Sequence, residues 1–398
     1  MTPDKGALSA NADDNHRPMP LEQPSAPAVP ALVLTGGGAR SAYQVGVLKA
    51  VAQLLPQQAN PFRVIVGTSG GAVSASVLAT RADEWRQAVL DIEKVWANFH
   101  ISQVFRAGRR QMLGAGLHWM ISMISGGHLL RAPRSLFDNT PLRQLISSAV
   151  DWSRLGRNIE AGHLDSLALC ATSYASARSV AFYQAGATIS DWFRRDHVGR
   201  RAELTLGHLM ASMSVPLLFP PERVGDEFYG DGAMRQLAPL SPALHLGANR
   251  LLVVGMRGSG GGGVEAQRTL PPVEPTPGEL FGFALDSLFS DQIHSDLEQI
   301  DRVNEIVRVA PQLLPGARVV EQVMFLVPSE DPRAIALRHL ASLPASLRTL
   351  LRVMGAGDRA GAQLSSYLMF ESGYTRDLIA LGYRDAMAQS AQLRNLLQ

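Results

Sequence analysis

Two segments decide how this chain is read: Ala31-Leu32-Val33-Leu34-Thr35-Gly36-Gly37-Gly38-Ala39-Arg40, and Phe62-Arg63-Val64-Ile65-Val66-Gly67-Thr68-Ser69-Gly70-Gly71. In the second, Gly67-Thr68-Ser69-Gly70-Gly71 fits the G-x-S-x-G elbow, a sharp strand-to-helix turn that exposes a serine hydroxyl. Its context agrees. The short β-branched stretch before it reads as a buried strand. The small, apolar run Ala72 to Ala79 after it reads as a tightly packed helix. The first segment repeats the pattern, with a strand over Ala31–Leu34 and a helix over Ser41–Leu54. Gly36, Gly37 and Gly38 offer backbone N–H groups that no side chain shields, which is what a developing oxyanion needs. Together the two segments point to serine acyl-transfer chemistry.

A dinucleotide-binding turn is the rival reading of the first segment. It requires G-x-G-x-x-G and an acid about twenty residues on. Ser41 occupies the third glycine position, and no Asp or Glu occurs between Glu22 and Asp83. Nothing supplies the G-K-[ST] of a P-loop either.

Composition bounds the rest. The 398 residues are 46% hydrophobic and 18% charged, enough for a substantial core. A net charge of +2 does not suggest a nucleic-acid partner. One cysteine, Cys170, excludes an intramolecular disulfide and a cysteine-rich zinc site. Cys170 lies in an apolar run and reads as a buried thiol. Residues 1–29 are polar and proline-bearing and are expected to be disordered. They lack the apolar region of a signal peptide, so a cytoplasmic location is expected.

Further strands are expected over Leu167–Thr172, Val180–Tyr183 and Leu251–Met256, with one more over Val323–Val327. Strands alternating with helices over 30–256 argue for an α/β sheet covered by helices. Residues 257–278 read as a Gly/Pro-rich loop, and residues 279–398 as a mainly helical region.

From Lys94 to Phe137 there is no Asp or Glu, yet Arg106, Arg109, Arg110, Arg131 and Arg134 are present. Leu113, Leu117, Met120, Ile121 and Ile124 fall on one helical face between them. This stretch reads either as a cap over the active site or as an element that docks on anionic lipid.

An acyl hydrolase needs a base for its serine. Asp231, in Gly230-Asp231-Gly232-Ala233, is the acid candidate, on a tight turn with open approach. His245, His294 and His339 follow it, but none is marked by glycines or a loop. A Ser–Asp dyad without histidine therefore enters the reading, since burial raises a carboxylate's pKa and makes it a better base.

At this point the chain resembles the patatin-like phospholipases, as a bacterial-type member. The similar residues are Gly36 to Arg40 with Ser41-Ala42-Tyr43-Gln44-Val45-Gly46-Val47-Leu48, Gly67 to Gly71, Ala211-Ser212-Met213-Ser214-Val215-Pro216 through Phe219-Pro220-Pro221, and Asp231-Gly232-Ala233. Their order and rough spacing agree with the family over about residues 30–256. A tail similarity runs through Ser366 to Phe370 and Tyr374-Thr375-Arg376 to Leu381-Gly382-Tyr383. Ser41 departs from the small Gly or Ala of many relatives.

The resemblance implies a three-layer α/β/α sheet, with a catalytic domain over 30–256. It implies that Ser69 attacks an ester carbonyl and that Asp231 takes the serine proton and later activates water. It further implies that Gly37 and Gly38, with Gly36 beside them, hold the oxyanion, and that Gly67 and Gly70 shape the elbow. Arg40 either braces the glycine loop or faces lipid phosphate. No histidine, metal or other cofactor is implied. The expected substrate is a lipid ester, a phospholipid or acylglycerol, met at a peripheral membrane surface. A soluble esterase or thioesterase with the same dyad is the alternative within enzymes. A catalytically idle lipid-binding module is the alternative outside them, and the intact Ser69, Asp231 and Gly36–Gly38 argue against it.

Overall fold

The computed structural model describes residues 27–55, 60–105, 135–187, 189–256, 274–290, 292–313, 319–355 and 362–398. Among these residues ten strands form one sheet: β1 Pro30–Leu34, β2 Val64–Thr68, β3 Ser166–Ser173, β4 Ser179–Ala185, β5 Trp192–Phe193, β6 His197–Arg201, β7 Glu222–Val224, β8 Glu227–Asp231, β9 Arg250–Val254 and β10 Gln322–Leu326. The spatial order is β10-β9-β1-β2-β3-β4-β6-β5. Strands β10, β9, β1, β2 and β3 run parallel, and β4 turns back against β3. Strand β8 pairs antiparallel with the last residues of β3 and carries β7 on its other edge.

The central strands are apolar on both faces, as expected of a parallel sheet covered by helices on each side. Alternate residues feed two cores. Leu32, Leu34, Ile65, Leu167 and Leu252 enter the larger one, and Ala31, Val33, Val64, Val66 and Leu251 the smaller. Against the larger core pack α1 (Ala42–Leu54), α2 (Gly70–Thr80), α3 (Trp85–Ala97), α4 (Thr140–Ala149) and α5 (Ser153–Glu160). Helix α6 (Leu206–Ser212) also lies on this side. Against the smaller core pack α7 (Ser241–His245) and, beyond α8 (Pro277–Ser290), α9 (Gln292–Val309). The result is the expected α/β/α sandwich.

The six strands read from sequence are present, with ends shifted by one or two residues. The reading missed β5 to β8. Two of them, β5 and β7, have only two and three residues, and most residues of the four are less fully buried than those of the central strands. Their sequence pattern is correspondingly weak, and pairing with longer strands holds them in place. The region expected to be mainly helical begins with two helices, Pro277–Ser290 and Gln292–Val309.

The C-terminal residues add β10 and helices α10 (Pro332–Arg338), α11 (Ala345–Val353), α12 (Ala362–Leu368), α13 (Ser372–Ala388) and α14 (Ser390–Leu397). Helix α13 lies close against α1, and two glycines allow it. A Cβ on Gly46 would stand 2.0 Å from the Ile379 carbonyl oxygen, and one on Gly382 would stand 2.1 Å from that of Tyr43. The backbones touch where both side chains are absent. The stretch read as a cap or lipid-docking element falls largely on 106–134, outside the described residues. So do residues 1–26 and most of the Gly/Pro-rich loop. Among the described residues no helix is long and apolar enough to cross a membrane.

Candidate active site

Strand β2 ends at Thr68 opposite Cys170 of β3, and β8 ends at Asp231 opposite Ala171. Consecutive residues of β3 therefore align the end of one strand with the end of the other. Ser69 follows Thr68 directly, so Ser69 and Asp231 come together at the same end of the sheet.

Ser69 carries φ 52° and ψ −125°. A non-glycine residue holds this conformation only where surrounding contacts enforce it, at a cost of about 1–3 kcal/mol. Here the enforcing contacts are visible. The Ser69 N–H donates to Ser212 Oγ at 3.0 Å. The first turn of α2 closes with Ala72 N–H donating to the Ser69 carbonyl at 2.9 Å. Gly71 lies against β1, where a Cβ would stand 2.4 Å from the Leu34 carbonyl oxygen. Gly67 faces Ala72 and Ala75 of α2, and Gly70 faces Ser41, leaving no room for side chains. Ser41 itself fits as a buried residue. The α2 N-terminus, and with it the positive end of the helix dipole, lies at Ser69.

Asp231 is 1% exposed, so the open turn expected from Gly-Asp-Gly is instead the buried end of a strand. Its N–H donates to the Ser214 carbonyl at 2.9 Å, and its carbonyl accepts from Thr172 Oγ1 at 2.8 Å. Its Oδ1 accepts from the Ala233 N–H at 2.9 Å. Its Oδ2 is buried and has no hydrogen-bond partner among the described residues. Burial pushes the carboxyl up to about 7, against the opposing pull of the Ser69 hydroxyl and the Ala233 N–H. The Ala211–Pro216 segment thus holds both residues, one through Ser212 and the other through Ser214.

Gly38 lines the opening beside Ser69, and the Gly36 Cα lies near enough that an added Cβ would stand 3.1 Å from the Ser69 Cβ. Gly38 adopts φ +54°, and a Cβ there would meet the Tyr367 carbonyl oxygen at 2.6 Å. No hydrogen bond among the described residues uses the N–H of Gly36, Gly37 or Gly38.

Arg40 points away from this opening. It is 2% exposed, and its Nε and Nη2 donate to Ser366 Oγ at 2.9 and 2.7 Å. Its Nη1 donates to Asp286 at 3.0 Å and to the Tyr367 hydroxyl at 3.1 Å, and the guanidinium lies 3.8 Å from the Tyr367 ring centroid. Of the two roles open for Arg40, these contacts fit bracing. It ties the glycine loop to α8 and α12.

His245 and His339 lie elsewhere. His245 stacks on Trp192 at 4.7 Å between centroids, on the smaller-core side, and His339 pairs with Asp377 at 2.9 Å. The His294 side chain lies outside the described residues. No histidine among the described residues hydrogen-bonds Ser69 or Asp231. Cys170 is buried, and burial pushes its thiol up to about 11, consistent with an inert role.

Beside Ser69 opens a channel of about 410 Å³, walled by α2, α3 and α4. Val73, Val77, Ile92, Trp96, Ile146 and Phe219 give it an apolar surface. The sequence reading named none of these as site residues. A signal was present in α3, where Ala88, Val89, Ile92 and Trp96 recur at helical spacing. It marks a buried face without distinguishing core from channel.

The patatin-like phospholipase family model matches residues 32–244, more than half the chain, and the protein belongs to that family. Among solved structures it is similar to VipD from Legionella pneumophila (13% identity, 92% of this chain and 68% of that one, TM-score 0.40). It is also similar to human GIVD cytosolic phospholipase A2 in complex with methyl gamma-linolenyl fluorophosphonate (14%, 93% and 59%, 0.42). A third is ExoU in its complex with SpcU from Pseudomonas aeruginosa (16%, 93% and 76%, 0.26). No curated protein matches the sequence. The family supports lipid hydrolysis as the activity.

Proposed function

We propose that the protein is a carboxylic ester hydrolase of the phospholipase A or acylglycerol lipase type, with Ser69 as nucleophile and Asp231 as its base. The observation that carries this reading is the pairing of a strained, buried serine with a carboxylate whose Oδ2 is unpartnered and whose affinity for a proton is raised to about 7. A base works best when its pKa lies near the working pH.

Ser69 Oγ attacks the acyl carbonyl while Asp231 Oδ2 accepts the hydroxyl proton. The carbonyl oxygen becomes an anion and takes hydrogen bonds from Gly37 and Gly38, with Gly36 adjacent. Each such donor is worth about 10²–10³-fold in rate. Collapse of the intermediate expels the alcohol, which recovers the proton from Asp231. Asp231 then deprotonates the water that attacks the acyl-enzyme. The acyl chain occupies the apolar channel along α2, where its methylenes leave water. Residues 30–256 act as the catalytic unit, and the helices beyond residue 278 hold its glycine loop through Arg40.

The test is incubation of wild type and Ser69→Ala with mixed phospholipid and acylglycerol vesicles, with released fatty acids identified by mass spectrometry. Release that depends on Ser69 is the expected result and names the lipid class. Equal release from both proteins would remove Ser69 from the chemistry.

A further inference from the structure

The channel has a length that the helix beside it measures. One stripe of α2 forms a wall: Gly70, Val73, Ser74, Val77 and, just past the helix end, Arg81. Spacings of three and four residues place them on one face. Helix α3 runs alongside in the opposite sense. Its C-terminal end leads to Phe99, which lies 5.7 Å from Phe370, three residues past the Tyr367 carbonyl that abuts Gly38. Asp91, earlier in α3, lies at the far end and bonds Arg81, with Nη1 2.6 Å from Oδ2. Arg81 also pairs with Glu84 at 3.3 Å. The Ser69 end and the middle are apolar, and the far end is an ion cluster.

We infer that the Arg81–Asp91 pair sets the acyl-chain length this protein prefers, by stopping a chain that lies along α2 from Ser69. This rests on the assignment of Ser69 as nucleophile. The 11 residues of α2 span about 16 Å at 1.5 Å per residue. An extended chain advances about 1.2 Å per bond, a third of the rise of an extended peptide residue, so the channel holds about 13 bonds. The best-fitting acyl chain therefore has about 14 carbons. A longer chain must part the ion pair or emerge beside it, where further methylenes gain no burial.

The experiment measures kcat/KM for a series of saturated acyl esters from eight to eighteen carbons. In parallel, alkyl fluorophosphonates of the same lengths label the protein, and peptide mass spectrometry locates the adduct. Wild type is expected to peak near fourteen carbons in both. Arg81→Ala is expected to move the peak upward by two carbons or more. Val77→Trp, which narrows the channel about two-thirds of the way along α2, is expected to move it downward to about nine or ten carbons. Since Arg81→Ala removes ion pairs and can unfold α2's end, Val77→Trp decides alone if that variant does not fold. Ser69 labelling with no length preference, or a peak that the folded variants leave in place, would overturn the ruler. Absence of Ser69 labelling at every length would instead overturn the nucleophile.

Discussion

Ser69 and Asp231 stand at the ends of two strands that share one edge of β3, with Thr68 opposite Cys170 and Asp231 opposite Ala171. Ser69 and Asp231 are therefore aligned by the one strand that both β2 and β8 pair with. Their relative position depends on sheet register, which a slip of one residue would destroy by turning side chains to the other face.

The pH dependence of activity follows from Asp231. Its carboxyl must be ionised to accept the serine proton, and burial lifts it from an ordinary 3.8 to about 7. We expect kcat/KM to rise about tenfold per pH unit below 7 and to level off above. A pH–rate profile flat from 5 to 8 would exclude Asp231 as the base.

Asp231→Asn is expected to lower kcat by about 10²–10⁴-fold, because the amide cannot accept the proton. The same substitution has a predictable effect on stability. The folded-state pKa lies above the unfolded one, so Asp231 supports the fold fully only below about 3.8 and loses that support as pH rises towards 7. Asparagine does not titrate. Relative to wild type, the variant should gain up to about 4 kcal/mol between pH 4 and pH 8. Denaturant melts at the two pH values check this, and a difference that does not grow with pH would contradict it.

Arg40→Ala is expected to destabilise the fold by about 3 kcal/mol, at the low end for a broken buried pair because Asp286 keeps the Tyr367 hydroxyl at 3.0 Å. Arg40→Lys should recover little, since an ammonium cannot reach Ser366, Asp286 and Tyr367 together as the guanidinium fork does. Both variants should reduce kcat by loosening Gly36–Gly38. Thermal melts with kinetics on one ester test the pair, and wild-type stability in Arg40→Lys would show that the fork is dispensable.

Gly382→Val forces side-chain atoms into the Tyr43 carbonyl, 2.1 Å from where a Cβ would begin. The α1–α13 contact must open, and we expect a loss of at least about 1–3 kcal/mol, the usual range for overpacking. Unchanged denaturant stability would mean that α13 is not docked on α1 as described.

Much of the site was legible in sequence because each part is local. A β-branched run, a glycine turn and a small-residue helix specify a strand, an elbow and its packing without reference to distant residues. Ser69, Asp231 and Gly36–Gly38 were singled out as candidates in this way, and the central strands, which bury both faces, were read from their apolar runs. Strands β5 to β8 were not, because their conformation comes from pairing with neighbours more than from their own pattern.

By itself, the sequence determined the sandwich class, the elbow and the residues able to act as nucleophile and base. Only the tertiary structure decided what those residues experience. It turned the open aspartate expected between two glycines into a buried one, since β8 runs beside β3 and excludes water. It directed Arg40 inward to α8 and α12 instead of outward to lipid. It also assembled the apolar channel beside Ser69 from three helices whose apolar faces look in sequence like ordinary core. Proton affinity, charge pairing and cavity shape depend on which distant groups meet and how much water they exclude, and these are set when the chain is packed.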